Sequence, residues 1–177
     1  HDSFEGASLQ VSPVQGVHAE TLRWTERSAE RGRPWVVNLD EIGPAEHGVL
    51  PDAEDPDHDA VRHHALWGNL MAGGAGVEYY FGYKLPQNDL VCEDFRSRDR
   101  TWDYCRIALD FFREHEIPFW EMTNADTLIG NVKSDNSKYC LAKSGSLYLI
   151  YLPQGSTTEI DLSDTSGTFD VQWFDPR

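Results

Sequence analysis

The sequence predicts an α/β region followed by an all-β region. Two observations carry this. Between residues 17 and 115, helical and strand-like segments alternate in the order helix, strand, helix, strand, helix. Alternation of this kind argues for parallel strands joined by crossover helices. From about residue 130 the pattern changes to four short strand-like runs separated by small polar turns. Such runs, with no helix between them, read as antiparallel sheet of a sandwich.

Each element has a local reason. Residues 1–16 carry turn signals and read as a loop. In VHAETLRWTERSAER (17–31), Val17, Glu20 or Thr21, Trp24 and Ser28 step round a helix whose charged residues occupy the rest. Gly32 stops this helix and Pro34 leads into an apolar strand, 35–41. The acidic segment 45–60 reads as a loop. A second helix, roughly 57–72, takes Asp57 or Asp59 as its cap and turns Val61, Ala65, Leu66 and Leu70 inward. AGGAG (72–76) breaks it, and VEYYFGY (77–83) has strand composition. After a polar loop, Trp102, Cys105, Leu109 and Phe112 recur at helical spacing, giving a helix over 100–115 that ends before Pro118. Both strands are continuously apolar, which predicts a sheet covered on both faces. KYCLA, SLYLIYL, TEIDL and TFDVQWFD are the four later strands. The domain boundary falls near 125–132, dividing the chain into 1–128 and 129–177.

Composition excludes several classes of function. The 177 residues have a formal net charge of −15, which repels phosphate backbones and anionic membranes. No apolar run approaches the roughly 20 residues that span a bilayer. Three cysteines, Cys92, Cys105 and Cys140, form no disulfide framework and no CxxC, and read as small buried hydrophobes with one disulfide possible. No phosphate-binding glycine loop is present, because AGGAG precedes a strand instead of following one, and the sequence contains no GxSxG elbow. Asp52, Glu54, Asp55, Asp57 and Asp59 lack the spacing of a calcium loop. His58, His63 and His64 lack the partners of a zinc site. No metal or cofactor is therefore expected. The chain begins at His1 and ends just after a strand-like run, and reads as a piece of something longer.

The candidate site lies at strand ends, where parallel α/β folds carry their functional groups. Asp40 and Glu41 end the first strand. Glu78, beside Tyr79, Tyr80 and Tyr83, sits on the second. Paired carboxylates amid aromatics suit glycoside hydrolysis, in which one acts as nucleophile or base, the other as acid, and rings stack on sugars. Pattern alone favours the other reading of the same residues, in which Asp40 and Glu41 cap the next segment and Glu78 pairs with an arginine.

RPWVVNLDEIG, VRHHALWGNLMAGGAGVEYYFGY and ALDFF together resemble the last strands and helices of the (β/α)8 (TIM) barrel of secreted bacterial glycoside hydrolases of the apiosidase-like kind. NVKSDNSKYCLAKSGSLYLIYLPQGSTTEIDL through FDVQWFDPR resembles the small β-domain that follows such barrels, described as a putative collagen-binding domain of a collagenase. No residue in the sequence supports collagen binding by itself. The resemblance implies a secreted or periplasmic enzyme that cleaves a polysaccharide or oligosaccharide with retention. Glu41 is its nucleophile, and an acid/base lies in the remainder of the barrel upstream, about 5–5.5 Å from it in the folded enzyme. His1, Asn38, Asp40, Glu78, Tyr79 and Tyr80 would hold the sugar. A whole barrel takes about 250 residues, so the fragment alone is expected to be inactive. The alternative reading is a non-catalytic module that binds carbohydrate or collagen-like matrix, and a third is a structural pairing domain with no ligand.

Overall fold

A computed structural model describes residues 3–92 and 94–177. The chain is a small α/β unit with two separate three-stranded sheets. The first sheet is parallel, in the order β1 (Gly6–Val11), β2 (Val36–Ile42), β3 (Gly76–Val77). α1 (Val17–Glu30) connects the first two strands. A helix over 59–71 leads to the third; its centre, Val61–Trp67, is π-helical and its last turn is α2 (Gly68–Met71). α3 (Asp99–Glu114) follows a long loop. The second sheet is antiparallel: β4 (Thr123–Asn124), β5 (Tyr139–Lys143), β6 (Leu147–Tyr151).

This corrects the expected barrel. The parallel sheet has three strands among the described residues, and its last strand is two residues long, so nothing closes it into a cylinder. Nor is it covered on both faces. Leu9, Val11, Val37, Leu39 and Ile42 point into one core with Val17, Val61, Ala65 and Phe81. On the opposite face Ser8 is exposed and Asn38 half-buried, so the strands alternate as in a one-sided sheet. The sandwich is corrected too. Among the described residues the antiparallel sheet faces no second sheet, and 158–162 and 168–175 are irregular. One face of this sheet, with Tyr139, Leu141 and Tyr151, packs on Leu66, Trp67, Met71, Tyr104 and Ala108 from the helices. The other, with Cys140, Ala142 and Tyr148, is covered by Ile129, Ala125 and Ile160.

The helices lie where their periodicity puts them. α1 ends in a Schellman turn: Gly32 is left-handed (φ 74°), its N–H donates to Ala29 O, and the Arg33 N–H donates to Ser28 O. β1 falls inside the segment read as loop. Its small residues, Gly6, Ala7 and Ser8, hide a period-two pattern that only Leu9 and Val11 announce. The segment 77–83, read as one strand, joins the parallel sheet only through Val77; further along, Phe81 forms an isolated antiparallel bridge with Gly48.

The 3-10 turn Phe95–Arg98, just before α3, holds a buried cation. Arg98 is inaccessible to solvent and donates to Val49 O, Gln87 O and Ser97 Oγ, with its guanidinium 4.2 Å from the Phe81 ring centroid. It fastens the long loop to the segment after β2.

Candidate functional site

The end of β2 is shaped by a β-bulge. Leu9 pairs with Leu39 and Gln10 with Glu41, which leaves Asp40 as the extra residue. The bulge resets the alternation. Ile42 rejoins the buried face, while Asp40 and Glu41 remain half-exposed together at the sheet's C-terminal edge. Beyond them, β1 and β2 leave the sheet through the cis peptides Ser12–Pro13 and Gly43–Pro44, and the Gly43 N–H donates to Val11 O. A cleft of about 180 Å³ opens here, lined by Gln10, Ser12, Glu41, Gly43, Ala45 and Tyr80 among others. It is smaller than the roughly 300–1,000 Å³ of pockets that engulf a ligand.

The other sequence-predicted residues separate. Asn38 lies further back on β2 and donates to Leu39 O. Glu78 is exposed, its N–H donating to Leu39 O just past β3, and it does not line the cleft. Tyr79 turns inward against Trp102, its hydroxyl accepting from the Cys105 thiol at 3.6 Å, and burial pushes the phenol well above its ordinary range. Tyr80 alone joins Glu41 in the cleft. His1 lies outside the described residues.

Two further features were not assigned from the sequence. The first is a ridge of contiguous aromatic rings. Phe111 and Phe112 of α3 meet Phe119 and Trp120 of the following 3-10 turn, and Phe174 of the C-terminal tail packs 4.6 Å from Phe111. Trp120 is 71 % exposed, Phe119 52 % and Phe174 43 %. The Phe119-Trp120 pair directly after Pro118, in a polar turn, was the available signal.

The second is a buried polar seam. His18 is fully buried; its Nδ1 donates to Gly68 O at 2.8 Å and its Nε2 meets Asp126 Oδ2 at 2.9 Å. The other Asp126 oxygen accepts from the Cys140 N–H, and the Tyr139 ring stacks on His18 at 4.2 Å. Nearby, His63 touches the ring of Tyr151, and Trp67 stacks on Tyr151. Burial and the Arg62 charge lower the pKa of His63 to about 4, and burial pushes the Tyr151 phenol up.

Among the described residues no group of three or more His, Cys, Asp or Glu side chains is placed to hold a metal ion, and no helix is long and apolar enough to cross a membrane. No curated protein and no solved structure matches the chain. Residues 124–177, which begin within β4 and include the rest of the antiparallel sheet and the tail bearing Phe174, match the model of a family described as "Putative collagen-binding domain of a collagenase".

Proposed function

We propose that this chain is a non-catalytic module that attaches its parent protein to an extracellular polymer, either a matrix protein or a polysaccharide. The family match over 124–177 carries the reading. The shape of the surface supports it. The cleft at the sheet end is small, about 180 Å³, whereas Phe119, Trp120 and Phe174 leave apolar rings exposed, as interaction surfaces do. Extracellular placement follows from such a ligand.

Retaining hydrolysis of a glycosidic bond is a second reading, favoured by one observation: Glu41 lies at a strand end, in a cleft that also presents Tyr80. In that reading Glu41 attacks the anomeric carbon, Asp40, Asn38 and Tyr80 orient the sugar, and the acid comes from outside these residues. One assay separates the two. The protein is incubated with insoluble fibrillar collagen, cellulose, xylan and chitin, then sedimented. Retention on a polymer without release of reducing sugar is expected. Failure to sediment with any polymer overturns the module. Sugar release that Glu41→Gln abolishes, with the fold intact, makes the chain a hydrolase.

A further inference from the structure

A second hollow lies away from the sheet end, between α1 and the loop that leads into β5. It measures about 360 Å³, twice the cleft beside Glu41 and within the range of ligand pockets. One wall is a stripe of α1. Ala19, Leu22, Arg23, Glu26, Arg27 and Glu30 recur at intervals of three and four residues and so share a face. The other wall is Lys133 and Ser134, which belong to the segment matched by the family model. The loop that carries them is fixed from within. Asn131, 4 % exposed, donates through Nδ2 to Asp135 O and Lys138 O, and its Oδ1 accepts from the Asp135 N–H. The Ser134 N–H donates to Asn131 O, and Ser134 sits in the left-handed region at φ 47°. Asn136 donates to Gln15 O at the entrance to α1. The two walls are therefore tied together before any ligand arrives.

The charged groups of the groove differ in how far they are already engaged. Arg23 is paired with Glu20 at 2.6 Å. Arg27 and Lys133, on opposite walls, form no ion pair among the described residues, and neither do Glu26 and Glu30. Asp135 feels the charge of Lys133, but its carboxylate accepts from the Ser137 N–H and does not line the groove. Two free cations suit one carboxylate. Two free carboxylates and the Ser134 hydroxyl suit the hydrogens of neighbouring hydroxyl groups. Ala19 and the half-buried Leu22 offer an apolar patch to a C–H face. One uronic acid residue carries all three features. The charge of the whole chain limits how many such residues the ligand brings. At −15, the chain repels a polymer with a carboxylate on every ring. A largely neutral polysaccharide with an occasional uronate delivers one anion to the two cations and avoids that repulsion.

Resting on the binding-module reading above, we propose that the groove between α1 and the 131–138 loop binds an isolated uronic acid residue of an otherwise neutral polysaccharide, with Arg27 and Lys133 holding its carboxylate. The test is calorimetric titration of the whole chain with soluble glucuronoxylan, with the same xylan after its carboxylates are reduced to alcohols, and with polygalacturonate. Saturable binding of glucuronoxylan is expected, about fivefold weaker in Lys133→Ala and in Arg27→Ala, and about tenfold weaker or more in the double variant. Arg106→Ala removes an exposed cation from α3, outside the groove, and should bind as the unmodified chain does. Arg27 and Lys133 are exposed, so their removal should leave the melting temperature unchanged, and a melt of each variant verifies this. Equal binding of the native and reduced xylans overturns the carboxylate as the recognised group. Binding that survives the double substitution, or that falls equally in Arg106→Ala, overturns the groove as the site. Tighter binding of polygalacturonate than of glucuronoxylan overturns the isolated uronate. No binding of any of the three, with retention on collagen or another insoluble polymer in the sedimentation assay, overturns this ligand and leaves the module standing. No binding here and no retention there removes both.

Discussion

His63 shows how much a single side chain can govern. It sits in the π-helical turn, 5 % exposed, with its Nε2 lacking a hydrogen-bond partner and Asp59 Oδ1 3.8 Å away. Its folded pKa of about 4 lies below the ordinary 6.5 because burial and Arg62 both disfavour the imidazolium. Between these two values the unfolded chain binds a proton that the folded chain refuses, so stability falls as pH drops from about 6.5 to about 4 and levels off below. The full shift corresponds to at most about 3 kcal/mol. Urea midpoints followed from pH 7 to 4 should therefore decline, and His63→Leu should flatten part of that decline, His64, whose pKa burial also lowers, contributing with the same sign. An equally steep decline in the variant would place the effect elsewhere. The sequence gives no sign of this. His63 and His64 invite a metal reading or none, since the burial that lowers their pKa values comes from tertiary packing, which for His63 includes the ring of Tyr151, 88 positions away on β6. The same holds for Glu41. Its identity is plain in the sequence, but the bulge that leaves Asp40 unpaired and turns Glu41 into the cleft depends on pairing with β1, a strand whose small residues conceal it.

At the scale of elements, the helices were legible throughout and the strands only in part: β2, β5 and β6 fall at 35–41, KYCLA and SLYLIYL, while β1, TEIDL and TFDVQWFD do not follow the pattern, for a physical reason. The faces of α1 and α3 repeat over several turns, so periodicity alone places them within a residue or two. The strands depend on partners. TEIDL and TFDVQWFD have strand composition yet remain irregular, and neither pairs with a strand among the described residues. The two helix ends make a further contrast. α3 closes with the same Schellman geometry as α1, the Ile117 N–H donating to Phe112 O and the Glu116 N–H to Arg113 O, but Glu116 occupies the left-handed position that Gly32 fills in α1. At φ 49° a side chain there costs about 1–2 kcal/mol against glycine, partly offset by the greater freedom of glycine in the unfolded chain. Glu116→Gly is therefore expected to raise stability by roughly 0.5–1 kcal/mol, read as a higher urea midpoint at unchanged slope. A lower midpoint would show that the Glu116 side chain makes a compensating contact.

For the whole molecule the question is whether the segment 124–177 stands apart from the α/β layer, as a boundary at 128/129 would have it. The contacts favour one cooperative unit. Tyr139, Leu141 and Tyr151 of the antiparallel sheet share a core with Leu66, Trp67 and Met71 of the 59–71 helix, and Asn136 donates to Gln15 O. His18 and Asp126, both fully buried, join α1 to the start of the matched segment. Removing one member of a buried pair strands its partner, so Asp126→Ala should cost about 3–5 kcal/mol, the more so because the Cys140 N–H loses its acceptor too. Asp126→Asn is the informative companion. Its oxygen can still accept from Cys140, and its amide can donate to His18 Nε2 while Nδ1–H keeps its bond to Gly68 O, so the loss should stay near 1 kcal/mol. Urea unfolding followed in parallel by tryptophan fluorescence and far-UV circular dichroism should give coincident transitions in the unmodified chain and both variants, shifted in that order. Two separate transitions, with only the second moved by Asp126→Ala, would restore the boundary and make the segment that matches the collagen-binding model a domain in its own right.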